Sequence, residues 1–285
     1  MLQTCSREEF DQYADFAYKL ALDLTKSAYP TYCDGIKTKE MFVERNLKAF
    51  ECETEEILLF VYEGKVEGMI HLYWMPDDHY LSTNVFNINK AAEQALSEFL
   101  SYAEEHFKGY DLYLGLPAEN SSAVDFLSKH GFECIEDDYN NTAFLNRIDP
   151  VSDHNGIIRI GKENYQLFEA LHDQIDGDMY WNSERIFEDL DHWIVHVKEK
   201  DGKPLGAVYY TDADDGWYEI FGIDIDRNEY DPNLFSQLLN AALADAKQRG
   251  GRVMTFFCDK EYEKTALKCG FQSVGNYLCF KTNLG

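Results

Sequence analysis

The 285-residue chain holds no run of about 18 apolar residues, the length a helix needs to cross a bilayer. Basic side chains are scarce: 26 Lys and Arg stand against 52 Asp and Glu, a formal net charge of −26. That surplus repels nucleic acid and anionic membranes and suits a cationic partner, an amine or a basic peptide. None of the seven cysteines forms a CxxC pair, which argues against zinc. Their odd number, and the absence of a basic-then-apolar pattern over Met1 to Phe10, predict reduced thiols in a cytoplasmic protein. Asp224-x-Asp226-x-Asn228 imitates the start of a calcium loop. It puts Glu229 where the loop needs glycine and Phe235 where it needs its closing glutamate, so no metal is expected. No low-complexity segment interrupts the chain.

What is present is a repeat. Gly64-Lys65-Val66-Glu67-Gly68 recurs as Gly202-Lys203-Pro204-Leu205-Gly206, each between two apolar runs, and both read as hairpins with glycine in the turn. A helical period follows in each half, Ala91 to Phe107 ending at Gly109, and Leu234 to Gln248 ending at Gly250. Short apolar strands come next, Leu112 to Leu116 and Val253 to Cys258, and then a short helix closing on Gly131-Phe132 or Gly270-Phe271. Three landmarks in one order, all offset by about 140 residues, mark a duplicated unit. Helical stretches precede each hairpin, at Glu8 to Ala28 and Lys39 to Phe50, then Lys162 to Gln174 and Ser183 to Leu190. Pro, Asp, Ser, His and Asn cluster near Asp149 to Asn155 and mark the link. The prediction is a mixed α/β fold of two tandem domains, residues 1–149 and 156–285, each a mostly antiparallel sheet flanked by helices.

Asn120-Ser121-Ser122-Ala123-Val124-Asp125-Phe126-Leu127-Ser128-Lys129-His130-Gly131-Phe132 resembles the late motif of the GNAT acyltransferases. Locally, Asn120 suits a helix cap, Ala123 and Phe126 the sheet-facing side, and Gly131 the helix end. In that family the helix lies beside the pantetheine arm of acetyl-CoA. Tyr218-Glu219-Ile220-Phe221-Gly222-Ile223-Asp224-Ile225 resembles the fourth strand of the family's histone-acetylating members, where a Glu before an Ile acts as general base toward the amine. Glu219 takes that position, with Trp217, Tyr218 and Phe221 expected to bury it and raise its pKa. Tyr29 to Gly35 joins the first two helices, where the family builds its acceptor pocket, and also reads as an ordinary Pro/Gly turn.

The chain departs from the family at the glycine-rich loop that cradles the coenzyme's pyrophosphate at a helix N-terminus. The first half offers Asn87-Ile88-Asn89-Lys90-Ala91-Ala92, with Lys90 in place of a glycine and Ala92 as an accepted final residue. The second offers Tyr230-Asp231-Pro232-Asn233-Leu234-Phe235, where Asp231 caps the helix and repels a diphosphate. The tyrosine that often protonates the leaving thiolate is replaced by Leu127 and Ala266. The resemblance implies an acetyl-CoA-dependent N-acetyltransferase acting on a small-molecule or peptide amine by direct attack on the thioester. Its candidate base is Glu219, and its coenzyme contacts are Asn87, Lys90, Ala92, Asn120 and Phe126 in the first half. The alternative is a catalytically silent protein of the same fold that binds an amine, a peptide or a protein partner.

Overall fold

Residues 1–151, 156–175, 180–212, 216–226 and 233–285 are described by a computed structural model of the chain. The first half runs β1 (Leu2–Thr4), α1 (Arg7–Ala21), α2 (Lys39–Lys48), β2 (Glu55–Tyr62), β3 (Lys65–Met75), β4 (Tyr80–Ile88), α3 (Ala92–His106), β5 (Asp111–Pro117), α4 (Ser121–Lys129) and β6 (Glu133–Phe144). The second runs β7 (Ile157–Arg159), α5 (Gln166–Ile175), α6 (Ser183–Glu188), β8 (Trp193–Lys200), β9 (Lys203–Asp212), β10 (Trp217–Ile225), α7 (Leu234–Gln248), β11 (Val253–Cys258), α8 (Glu263–Lys268) and β12 (Gln272–Asn283).

Local chemistry accounts for the repeated elements. Each first hairpin turns through two residues with positive φ, Glu63 (+50°) and Gly64 (+73°), then Asp201 (+53°) and Gly202 (+78°). Two such residues between the paired ends Tyr62↔Lys65 and Lys200↔Lys203 make the tight turn whose twist matches a β-ribbon. The second glycine of each repeat has a different reason. A Cβ on Gly68 would lie 2.9 Å from the Asn87 carbonyl oxygen, and one on Gly206 3.0 Å from that of Asp224. Ser6 opens α1 with a reciprocal cap, its Oγ accepting from Glu9 N at 3.3 Å while Ser6 N donates to the Glu9 carboxylate at 2.9 Å.

The chain forms two compact units, Met1–Asp138 with Gly275–Gly285, and Tyr139–Val274. In the first, the strand order is β1-β2-β3-β4-β5-β12, antiparallel except for β4 with β5. In the second it is β7-β8-β9-β10-β11-β6, antiparallel except for β10 with β11. The units part inside β6 and β12, whereas the sequence placed the boundaries at 149 and 156. The strand that closes the first half of the sequence pairs with β11, from Val253↔Phe144 to Cys258↔Tyr139. The last strand of the chain pairs with β5, from Tyr277↔Pro117 to Asn283↔Asp111. Composition marks the link between halves, but it carries no signal for an exchange of strands across it.

Each sheet is packed on both faces, which gives three layers per unit. In the first unit Leu96 and Phe99 of α3 and Leu127 of α4 bury Leu114 on one face, while Phe10 and Phe42 bury Leu59 and Val85 on the other. In the second, Leu238 and Leu239 of α7 and Ala266 of α8 cover Met254, and Phe168 of α5 covers Trp193 and Tyr209.

Candidate active site

Both units contain the same opening. In the first, β4 and β5 pair only at Tyr80↔Asp111, Leu81↔Leu112 and Ser82↔Tyr113, although both strands continue. In the second, β10 and β11 pair from Trp217↔Val253 to Ile220↔Phe256. A β-bulge on the first strand of each pair starts the divergence: the register against the preceding strand skips Asn84 in β4 and Phe221 in β10. The extra residue bends and twists its strand away from the parallel neighbour and leaves a wedge.

The wedge of the first unit is filled by its own chain. Within the connection from α1 to α2, Lys26 O accepts from Ile88 N at 2.9 Å, and Tyr29 N donates to Gly115 O at 2.9 Å. The segment Lys26–Tyr29 thus hydrogen-bonds to the parted ends of both strands. Asn120 Nδ2 donates to Ser27 O at 3.0 Å, and Ser27, Ala28 and Tyr29 are all buried. The filling segment lies in residues 22–38. The corresponding connection in the second unit, residues 176–182, is less than half as long. Within residues 29–35, Tyr32 packs edge-on against Phe42 at 5.1 Å, and Asp34 Oδ1 accepts from Ile36 N and Lys37 N at 2.9 Å each.

The first-half residues that the sequence singled out are all engaged within the chain. Asn87 Nδ2 donates to Ala17 O at 3.2 Å. Lys90 pairs with Glu67 at 3.3 Å, and the same carboxylate accepts from Asn89 Nδ2 at 2.6 Å. The Asn89 amide, seconded by Lys90, holds the Glu67 carboxyl below the usual carboxylate range. The charge of Lys90 is therefore already matched where a pyrophosphate was expected. Ala92 opens α3 behind Ala91, which sits at φ 56°, ψ 46°, a left-handed conformation rare for alanine. Asn120 caps α4, accepting from Ala123 N at 3.4 Å, and Phe126 is buried with its ring stacked 3.8 Å from that of His130.

Glu219 lies half-buried as the third residue of β10, on the last row of its face that pairs with β11. That row reads Trp193, Thr211, Glu219, Thr255, Thr142 across five strands. Residues directly opposite in a sheet share a face, so these side chains stand together. Trp217 is on this face, and its Nε1 donates to Thr255 Oγ1 at 3.2 Å. Tyr218, expected beside Glu219, points the other way into the α7 core, because successive strand residues alternate. Burial and a bond to Asp212 push the Tyr218 hydroxyl up to about 12, which makes it a poor proton donor to a thiolate. Leu127 and Ala266 are fully buried and offer no proton.

The equivalent row of the first unit is Glu55, Tyr73, Ser82, Tyr113, Lys281. Ser82 stands where the second unit has Glu219, the row's acid Glu55 lies on β2 bound to Arg45 and His71, and the space around Tyr113 is occupied. Tyr80 stacks on Tyr113 at 4.6 Å, and Lys281 Nζ lies 5.1 Å from the same ring and 2.8 Å from Asp111.

The loop Tyr230-Asp231-Pro232, with Asn228 and Glu229, lies outside the described residues. Beyond it Leu234 and Phe235 are buried, Phe235 stacked 4.1 Å from Tyr262. Asp224 is paired with His172 at 2.8 Å and Asp226 with Lys203 at 3.1 Å. Among the described residues no group of three or more His, Cys, Asp or Glu side chains is placed to hold a metal.

The fold has counterparts in known proteins. The acetyltransferase (GNAT) family profile matches residues 161–271, within the second unit. A GCN5-related N-acetyltransferase from Sphaerobacter thermophilus superposes over 100% of this chain and 95% of its own with a TM-score of 0.67 at 14% identity. The second unit matches the GNAT family profile, and the chain as a whole has the GNAT fold. A tandem GNAT protein from the clavulanic acid biosynthesis pathway covers 100% of this chain and 99% of its own, with a TM-score of 0.57 at 12% identity. A glucosamine N-acetyltransferase region in a fungal multi-domain β-N-acetylglucosaminidase covers 99% of this chain and 38% of its own, with a TM-score of 0.62 at 12% identity. No curated protein matches the sequence. The fold is thus a tandem GNAT arrangement, mixed α/β in both halves.

Sequence reasoning missed the filled wedge, the bulges and the β6 residues in the row of Glu219. The first had a visible signal, since residues 22–38 have no counterpart of equal length in the second half.

Proposed function

We propose that the second unit is an acetyl-CoA-dependent N-acetyltransferase and that the first is its non-catalytic partner. The observation that carries this is the contrast between the wedges. The first is bridged by Lys26–Tyr29, and its central row is Ser82-Tyr113-Lys281. The second has Glu219 on the row where β10 and β11 part. This moves the coenzyme away from Asn87, Lys90, Ala92, Asn120 and Phe126, whose partners are internal.

Acetyl-CoA supplies the acyl group as an activated thioester. The parted stretch Phe221–Ile225 of β10 would hold its pantetheine arm, and the N-terminus of α7, whose N-cap is Asn233 in place of the expected Asp231, would face its pyrophosphate. Glu219 takes a proton from the substrate ammonium, and the freed nitrogen lone pair forms a bond to the carbonyl carbon as the carbon–sulfur bond breaks. The nitrogen sheds a second proton and the departing thiolate takes up one, so one proton is released per turnover. With Leu127 and Ala266 inert, the thiolate's proton comes from water or from Glu219.

The silent-binding alternative is favoured for the first unit alone. The test is release of coenzyme A thiol with a panel of amines, in the parent and in Glu219→Gln. Loss of a general base costs about 10²–10⁴-fold in rate, and a drop of that size with acetyl-CoA binding retained is the expected result. Equal turnover in both proteins removes Glu219 from the mechanism.

A further inference from the structure

Three side chains of β6, Asn140, Asn141 and Thr142, carry polar atoms that the fold leaves without partners, and two of them, Asn140 and Thr142, share the face of Glu219. Thr142 is 1% exposed and Asn140 6% exposed. Neither Thr142 Oγ1 nor Asn140 Oδ1 has a hydrogen-bond partner among the described residues. Buried polar atoms are nearly always paired, so an orphan asks for something outside the chain to meet it.

The register puts both beside the proposed site. Thr142 is opposite Thr255, which is opposite Glu219, so the three share a row and a face. Asn140 is opposite Phe257, one step beyond Ile220↔Phe256, the last pair between β10 and β11. It therefore lies level with the mouth of the wedge. The intervening Asn141 turns to the opposite face, where its Nδ2 donates to Cys258 Sγ at 3.3 Å and its Oδ1 is unpartnered within the apolar core, away from Glu219. The hydroxyl of Thr255 is engaged in both directions, accepting from Trp217 Nε1 at 3.2 Å and donating to Tyr218 O at 3.4 Å. The sheet therefore satisfies Thr255 and leaves Thr142 to something else.

Resting on the function proposed above, we infer that Asn140 and Thr142 bind the far end of the acceptor and set its specificity. Neighbouring strands are about 4.8 Å apart, so Thr142 stands about 10 Å across the sheet from Glu219. An acceptor whose reacting amine meets Glu219 reaches β6 with a second group several bonds away. Asn140 Oδ1 only accepts, so that group is a donor: a second ammonium, a hydroxyl or an amide N–H. The substrate class is a bifunctional amine, and the net charge of −26 favours a second cation. Because β6 is encoded in the first half of the sequence, that half contributes specificity to the second unit.

The test uses the full chain with acetyl-CoA, comparing 1,5-diaminopentane and 1,8-diaminooctane with 1-aminopentane and 1-aminooctane. At least one diamine should exceed the monoamine of its length by about tenfold or more in kcat/KM, the effect of one hydrogen bond to a charged group. Thr142→Val and Asn140→Leu keep shape and lose the polar atoms. Each should move that ratio toward one and raise the melting temperature by a few degrees, since no internal bond is lost. Asn140→Asp, which retains an acceptor and adds charge, should strengthen the preference, and it serves if the apolar variants fail to fold. Equal turnover of diamines and monoamines, or a ratio unmoved by the variants, overturns the inference and leaves the acetyltransferase standing. A lower melting temperature with an unmoved ratio assigns both side chains to structure and overturns it too. Turnover of no amine at all overturns the proposed function and this inference with it.

Discussion

Asn120 separates two accounts of the first unit. The GNAT resemblance makes it a neighbour of the coenzyme, whereas in the structure its amide ties α4 to the segment that fills the wedge. Asn120→Ala removes a helix cap, worth about 1 kcal/mol. It also strips the buried Ser27 carbonyl of its donor, which costs about 1–3 kcal/mol. The sum, about 2–4 kcal/mol, corresponds to a melting temperature roughly 5–12 °C lower for a chain of this size. Asn120→Asp keeps the capping oxygen and loses the donor, so it should fall between the parent and the alanine variant. Thermal denaturation of the three proteins, each with and without acetyl-CoA, reads both quantities. The expected result is graded destabilisation with the acetyl-CoA dissociation constant unchanged. A tenfold weaker affinity in Asn120→Ala with an unmoved melting temperature would refute the reasoning and return the coenzyme to the first unit.

Burial alone would raise the Glu55 carboxyl, but the Arg45 fork, at 2.7 and 3.1 Å, and His71 at 2.9 Å outweigh it and hold the carboxyl below its ordinary range. A depressed acid stabilises the fold above its unfolded pKa and loses that contribution as pH falls through the folded value. Glu55→Gln should therefore flatten the acid limb of a urea-midpoint titration from the ordinary carboxylate pKa downward, leaving the neutral region parallel to the parent, and an unchanged acid limb would contradict this. Ala91→Gly should stabilise by about 0.5–1 kcal/mol. The left-handed conformation costs alanine about 1–2 kcal/mol, and glycine's extra chain entropy offsets part of that gain; lower stability in a urea titration would show that Ala91 is not strained. Gly206→Ala should destabilise by about 1–3 kcal/mol, because its Cβ would meet Leu238 Cδ1 at 2.9 Å and the Asp224 carbonyl oxygen at 3.0 Å. An unchanged melting temperature would mean that α7 yields.

The duplicated fold was legible because its signals are local. Gly64 and Gly202 mark turns, and Gly109 and Gly250 end helices, all with positive φ. The predicted helix over 234–248 matches α7 at both ends, and the strand over 253–258 matches β11. The domain boundaries differed because pairing of β12 with β5 and of β6 with β11 is a long-range choice that no window of sequence contains. The site was half legible. The strand pattern put Glu219 on β10, but its row partners Thr255 and Thr142 come from strands remote in sequence. The late motif around Asn120 was found correctly as a helix with its cap. Its expected role as a coenzyme neighbour depended on an open wedge, and Lys26–Tyr29 lies in that wedge.

Acetyl-CoA should enter the second wedge and not the first. Hydrogen exchange of the full chain with and without acetyl-CoA measures it directly, since a ligand along a parted strand protects that strand's amides. The predicted result is slower exchange in Phe221–Ile225 and at the start of α7, with β4, β5 and α4 unchanged. Protection of Thr83–Ile88 and the Asn120 helix, or no protection anywhere at saturating acetyl-CoA, would contradict it.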